Sequence, residues 1–233
     1  MEHPTEAGEI ALYSSPISDC SARLRIALTL KDIPYQAIDV SLKTGQNLEA
    51  EYSALNPAKT VPTLVVSSKR HGSITLTQSI AALEYLDEAF PNSVQLLPTL
   101  SNPAARATVR SLVGIIATDI HPLTTHRVGS AILARFPCPQ TVLASQTGNR
   151  DWDLHWINRG LELYEKMASQ TAGRYSFESE ITQADVCLLP ELWTAERIGV
   201  DLKRFPTIFR VFQELSAIPK IASVRSDPAS ELK

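Results

Sequence analysis

The segment Ile10-Ala-Leu-Tyr-Ser-Ser-Pro-Ile-Ser-Asp-Cys-Ser-Ala-Arg-Leu-Arg-Ile-Ala-Leu-Thr-Leu30 decides the fold. Its first four residues read as a short strand, Ile10–Tyr13. Ser21–Leu30 follows as a helix whose Leu24, Ala27 and Leu28 share one face at i, i+3 and i+4. Between them, Ser18-Asp19-Cys20-Ser21 falls at a strand-to-helix turn. Open α/β sheets bind ligands in that crevice. A helix N-terminus suits an anion, because free N–H groups and the dipole both favour negative charge, and a thiolate held there has its pKa lowered. The same residues also serve an ordinary N-cap.

Working outward, Tyr35–Val40 predicts a second strand, Asn47–Ala54 a short helix and Val61–Val66 a third strand. Ile74–Leu76 pairs across a turn at Lys69–Ser73, and Ser79–Ala89 is a helix that stops at Pro91. This βαβ, αββα order is that of a thioredoxin-like layer. Leu96-Leu97-Pro98 reads as a linker, beyond which strand signals disappear, so a domain of residues 1–97 precedes an all-helical domain of residues 98–233. Asn102 with Pro103 opens a helix of about 18 residues that stops or bends at Pro122. Thr124–Gly148 reads as irregular. Asp151–Gln170 is a long helix, with Trp152, Trp156, Leu163 and Met167 expected inward. Thr182–Gly199 is a further helix, opened by a capping box of Thr182 and Asp185 with Ile181 stapled to Val186 and bent at Pro190. Pro206–Leu215 closes the bundle, and the polar tail after Ala222 is expected to fray.

The 233 residues carry 22 Lys and Arg against 25 Asp and Glu, a formal charge of −3. That leaves no basic footprint for nucleic acid. The apolar runs, such as Val61–Val66, fall far short of the ~18 residues a membrane span needs. The N-terminus shows no basic and apolar succession of a signal peptide. Cys20, Cys138 and Cys187 are too scattered for a disulfide framework, and no metal-type Cys/His spacing occurs, so no metal and a cytoplasmic, reducing setting are expected. Cys20 is either a reactive thiol or a small apolar packer, and Cys187 belongs to the core. His3 and His71 read as solvent residues.

Three further positions carry two readings each. Pro62 is a trans residue at a strand edge on base rates, or a cis residue that turns the Val61 backbone toward an extended ligand. Gln78-Ser79 grips a carboxylate at a helix start or caps that helix. Arg197 is a buried-edge arginine at a domain interface, suited to a carboxylate substrate, or it makes a salt bridge to the neighbours of Glu196 or to Asp201.

Together these pieces resemble the glutathione transferase superfamily, and in particular its zeta class. The resemblance runs through Tyr13-Ser14, Ser18-x-Cys20-Ser21-x-Arg23-x-Arg25, Leu55-Asn-Pro, Val61-Pro-Thr-Leu, Gln78-Ser79, Glu84-Tyr-Leu, Thr182-x-Ala-Asp185 and Ala195-Glu-Arg197. It implies a thioredoxin-like domain followed by a helical bundle, glutathione as cofactor, a small-molecule substrate and a homodimer. It further implies that Ser18 meets the glutathione sulfur with Cys20 and Asp19 close by, and that Val61 before a cis Pro62 pairs with the cysteinyl backbone. Gln78 and Ser79 would hold the γ-glutamyl end, Gln46 and Asn47 the glycyl end, and His121 and Thr125 would reach the cofactor from the helical domain. The implied activity is cis–trans isomerisation of maleylacetoacetate in tyrosine and phenylalanine breakdown. A transferase acting on electrophiles such as α-halo acids and a non-catalytic binding module are the alternatives. Three positions depart from the class: Ile17 stands where an Arg is usual, Asp19 where a Ser is usual and His121 where a Gln is usual. Asp19 is expected either to oppose ionisation of the sulfur or to act only as a helix cap.

Overall fold

A computed structural model describes residues 8–68, 72–135 and 150–225. His3, His71, Cys138, the middle of the Lys69–Ser73 turn and the end of the tail lie outside the described residues. The chain divides at Leu97–Pro98 into two compact units, and the segment from Ala217 joins the first.

The first unit is built on β1 (Ile10–Ser14), α1 (Asp19–Leu30), β2 (Gln36–Asp39), a 3-10 turn (Gln46–Leu48), α2 (Ala50–Leu55), β3 (Thr63–Ser68), β4 (Gly72–Leu76) and α3 (Ser79–Ala89). The strands form one sheet in the order β2-β1-β3-β4. β1 runs parallel to β2, with Ala11 opposite Gln36, and antiparallel to β3, with Tyr13 opposite Thr63. β4 returns antiparallel to β3, with Leu64 opposite Leu76. A parallel β1–β2 pair needs a crossover, and α1 supplies it. β1 alternates, burying Ile10, Leu12 and Ser14, and the expected face of α1, Leu24, Ala27 and Leu28, is fully buried with Leu64, Leu83 and Leu86.

Several boundaries move for local reasons. β3 begins at Thr63 rather than Val61, because Pro62 has no N–H to give a ladder. α1 begins at Asp19 rather than Ser21, because Ser18 takes the N-cap and its side chain accepts from Ser21 N. The single helix expected over 47–54 is a 3-10 turn followed by α2.

The second unit contains α4 (Pro103–Gly114), a π-helical turn (Ile115–Ile120), a 3-10 turn (His121–Leu123), α5 (His126–Arg135), α6 (Arg150–Ala168), α7 (Gln183–Ile198), a 3-10 turn (Leu202–Arg204) and α8 (Pro206–Ser216). Asn102 caps α4 as expected, accepting from Ala105 N at 3.1 Å, and the helical run ends at Ile120, just before Pro122. α5 corrects the expectation of an irregular stretch from Thr124, whose remainder lies outside the described residues. α6 turns a different face inward from the one expected. Asp153, Ile157, Gly160, Leu161, Tyr164 and Ala168 are buried, whereas Leu163 is 42% exposed. In α7, Asp185 reaches back as the capping box requires, accepting from Thr182 N at 2.8 Å and the Thr182 hydroxyl at 3.0 Å. α7 continues through Pro190 and ends at Gly199, whose φ of 90° suits only glycine. Cys187 is fully buried, as expected of a core residue. Glu165 of α6 accepts from Thr207 N and Ile208 N, satisfying the start of α8. Finally, α9 (Pro219–Ala222) returns to the first unit, where it packs on α1.

Candidate active site

The sheet register gathers one end of the first unit. The last residue of β1, the first of β3 and the last of β4 fall together, since Tyr13 faces Thr63 and Leu64 faces Leu76. From that edge spring the turn into α1 with Ser18, Asp19 and Cys20, the Val61–Pro62 step, and the turn into α3 with Gln78 and Ser79. Ser18, Asp19, Cys20, Val61, Pro62, Gln78 and Ser79 therefore adjoin strand ends along one edge of the sheet, whereas Gln46 and Asn47 lie in the loop ahead of α2.

Ser18 is held in extended geometry at the N-cap (φ −85°, ψ 119°). Its Oγ accepts from Ser21 N at 3.2 Å, and its carbonyl accepts from Ala22 N at 2.9 Å. A serine hydroxyl has two lone pairs and one proton, so capping uses an acceptor site and leaves the O–H to donate elsewhere. Asp19 is not the cap. It is the first residue of the helix, an acidic group in the first turn, where the helix dipole favours it. Cys20 is half-buried, and Ile17 is 41% exposed.

Arg25 shapes the loop before the helix by donating to Ser15 O at 3.0 Å and Pro16 O at 3.2 Å. Burial pulls its guanidinium below the ordinary arginine value, an effect that the charges of Tyr35, Asp19 and Asp39 oppose. Arg23 is nearly fully buried on the same helix and donates to Ser79 Oγ at 3.3 Å, tying α1 to the start of α3. Ser79 is thus buried and engaged from behind by a cation. The capping reading of Gln78-Ser79 does not hold: Gln78 occupies the N-cap without a side-chain cap bond, and Ser79 is the first helical residue. Gln78 is exposed.

The Val61–Pro62 bond is cis, and Val61 and Pro62 are buried. Two side chains brace this step from below. Asn56 donates to Thr60 O at 2.7 Å and Thr63 Oγ1 at 3.0 Å, and the Tyr52 hydroxyl donates to Thr60 O at 2.7 Å. Burial pushes the Tyr52 phenol up, so it stays a donor at neutral pH. Gln46 and Asn47 have local work as well: Gln46 Oε1 accepts from Ser41 N at 2.9 Å, and Asn47 donates to Lys59 O at 2.7 Å. They fix the loop ahead of α2.

His121, Thr125 and Arg197 belong to the second unit. His121 follows the π-helical turn, with its side chain 22% exposed and Nδ1 3.6 Å from Glu191 Oε2. Thr125 donates to Pro122 O at 3.1 Å. Arg197 is not at a buried edge. It is exposed on the last turn of α7 and donates to Thr194 Oγ1 at 3.0 Å, because Ala195 takes the inward position of that turn. Asp201 turns instead to Lys203 N.

Sequence reasoning passed over Arg23, Arg25, Asn56 and Tyr52 as working residues. Arg23, Arg25 and Asn56 lie inside the quoted motifs, and a basic residue on the buried face of α1 was the available signal.

Comparison with known proteins agrees with this fold. The family described as Glutathione S-transferase, N-terminal domain, matches residues 17–89. Maleylacetoacetate isomerase maiA of Aspergillus fumigatus is 47% identical over 216 residues, covering 92% of this chain and 89% of that protein. Among solved structures, a holo maleyl pyruvate isomerase, a bacterial zeta-class glutathione S-transferase, aligns with a TM-score of 0.81 at 32% identity, covering 94% of this chain and 98% of that one. The maleylacetoacetate isomerase of Anaeromyxobacter dehalogenans, solved with bound glutathione, also gives 0.81, at 31% identity over 95% of this chain and 97% of its own. The chain belongs to the glutathione S-transferase family, and within that family to the zeta class, that of the maleylacetoacetate isomerases.

Proposed function

We propose that this protein is a glutathione-dependent isomerase that converts maleylacetoacetate to fumarylacetoacetate in tyrosine and phenylalanine breakdown, acting as a cytoplasmic homodimer. The observation that carries the reading is the Ser18 hydroxyl, fixed by its cap bond to Ser21 N with its proton still to give. The relatives' names supply the substrate class.

The first unit fits glutathione by its chemistry. A peptide with two carboxylates, an ammonium group and a thiol needs an anion-favouring helix start, an extended backbone edge and a buried hydroxyl. Ser18, Val61 and Ser79 present these on one rim. Bound glutathione supplies a nucleophilic sulfur that adds to the cis double bond, permits rotation and leaves again, so it is not consumed. The protein's part is electrostatic and positional. Ser18 donates toward the sulfur and stabilises its anionic form, aided by the start of α1. Cys20 lines the same turn. Arg23 holds the Ser79 hydroxyl so that Gln78 and Ser79 meet the γ-glutamyl end, while Gln46 and Asn47 serve the glycyl end. His121 and Thr125 contribute from the helical unit, and Arg197, exposed and always charged, suits a substrate carboxylate.

The test is turnover of maleylacetone with glutathione. Ser18→Ala should lower kcat by roughly one to three orders of magnitude, the effect of losing one oriented donor. Ser18→Asp keeps a capping oxygen and loses the donor, so it should fall as far while retaining stability. Unchanged turnover in both would remove Ser18 from the mechanism, and stoichiometric loss of free thiol would replace isomerisation by transfer.

A further inference from the structure

Glu191 lies midway along α7 and is fully buried. Neither of its carboxylate oxygens has a hydrogen-bond partner among the described residues. Burying a carboxylate is costly unless it is paired, so a glutamate retained here needs a partner close by. The basic group of the same unit within reach is His121, whose Nδ1 lies 3.6 Å from Oε2. That is about 0.6 Å beyond an ordinary N–H···O bond.

The backbone around His121 is fixed independently. Ile120, just before it, is fully buried. Pro122 follows directly, and the carbonyl of Leu123 accepts from Trp152 Nε1 at 2.8 Å. The imidazole is therefore anchored at its root, and the buried carboxylate of Glu191 lies on its Nδ1 side.

We propose that Glu191 is a positioning residue for His121: its buried carboxylate keeps Nδ1 protonated and thereby leaves Nε2 as the accepting nitrogen of the ring. The inference rests on the reading that His121 serves the cofactor. The physical need follows from the departure at this position. The Gln usual in the class is one fixed amide with a donor and an acceptor, whereas a histidine has two tautomers that differ in which nitrogen donates. A carboxylate can only accept, so at Nδ1 it selects one of them.

Nitrogen-15 spectra of the histidine rings in the whole protein, with His121→Gln to assign the signal, test this directly. The expected result is a protonated Nδ1 in the wild type and an admixture of the Nε2–H tautomer in Glu191→Gln. A wild-type His121 carrying its proton on Nε2 alone overturns the proposal, and that arm does not depend on the folding of any Glu191 variant. In turnover, Glu191→Gln should raise KM for glutathione about three- to tenfold, the worth of one oriented hydrogen bond, with kcat within about twofold. In a His121→Gln background the same change should add nothing. An equal rise in both backgrounds makes Glu191 merely structural. If His121→Gln itself leaves KM for glutathione unmoved, the proposal fails while the isomerase reading, which the Ser18 variants test, stands.

Discussion

Lys31 and Asp87 make a buried ion pair whose removal should be costly. Lys31 closes α1, its side chain fully buried, with Nζ 2.5 Å from Asp87 Oδ1, 2.6 Å from Val94 O and 3.3 Å from Ser93 Oγ. Asp87 in α3 also accepts from Leu96 N, at 3.0 Å through Oδ1 and 3.2 Å through Oδ2. One pair thus ties α1, α3 and residues 93–96 together. Asp87→Asn preserves shape and can still accept from Leu96 N, but leaves an ammonium buried among neutral acceptors. Breaking a buried pair on one side costs roughly 3–5 kcal/mol. The bonds to Val94 and Ser93 persist, so the lower end, about 3 kcal/mol, is expected. With a urea m-value near 3 kcal/mol/M, the midpoint should fall by about 1 M. Lys31→Met alone should cost a similar amount, since it strands the carboxylate. The double variant should lose much less than the sum, with a coupling of roughly 2–3 kcal/mol. Added salt should barely change the result, because a buried pair is poorly screened. Urea unfolding followed by far-ultraviolet circular dichroism measures all four proteins. A loss below about 0.5 kcal/mol in Asp87→Asn, or additive losses in the double variant, would refute the reasoning. The exposed Lys220–Asp32 pair is the control, and its removal should leave the midpoint unmoved.

Other predictions follow from single sites. A Cβ on Gly160 would overlap Cγ1 and Cδ1 of Ile120, so Gly160→Ala should destabilise by about 1–3 kcal/mol despite alanine's better helix propensity; in an Ile120→Ala background it should be neutral or stabilising by the same urea assay. Tyr164 is fully buried and its phenol is pushed well above 10, first by burial and then by Asp185. A folded pKa above the unfolded one means its stabilisation is complete below about pH 10 and is lost as pH rises beyond, so the Tm of wild type minus that of Tyr164→Phe should fall between pH 8 and pH 11. A difference that stays constant or rises would contradict this. Asp19→Ser should lower the thiol pKa of bound glutathione by up to about one unit, read by ultraviolet titration of the thiolate; equal values would confine Asp19 to its place on the helix dipole.

What the sequence disclosed, it disclosed through punctuation. Ser18, Asn102, Thr182 with Asp185, and the prolines at 103, 122 and 206 mark helix ends by local chemistry, and those ends lie within a residue or two of the reading. The face of α6 was harder. Its apolar residues occupy two flanks, and the buried flank includes Asp153 and Gly160, which hydropathy assigns outward. Gly160 is inside because Ile120 comes so close, a fact about another helix. Trp156 and Leu163, expected inward, line an open cleft of about 520 Å³ with Thr118, Asp119 and Arg159. α5 was missed because Val128, Ala131 and Ile132 make too short an apolar face beside Gly129. The braces behind the site were hidden for a related reason. Arg23 with Ser79 spans 56 positions and Lys31 with Asp87 the same number, and no local pattern encodes a partner that far along the chain.

Ser18 shows why weighing a capping role against a chemical one misstates the choice. A cap needs an oxygen lone pair aimed at the third backbone N–H of the helix, and Ser18 Oγ has it at 3.2 Å. A thiolate needs a proton donor at the helix start, where the dipole is already favourable. One hydroxyl satisfies both, because accepting and donating use different parts of the same group. The cap bond also fixes Oγ in place, so the donor is held before any ligand arrives, which is what electrostatic preorganisation requires. Asp and Asn cap as well as Ser, but a carboxylate has no proton to give and an amide carries its protons on nitrogen, away from the capping oxygen. Threonine keeps the hydroxyl but adds a methyl group that restricts χ1. Serine is the residue that meets both demands with least constraint, and in the proposed mechanism its structural role is a condition of its chemical one.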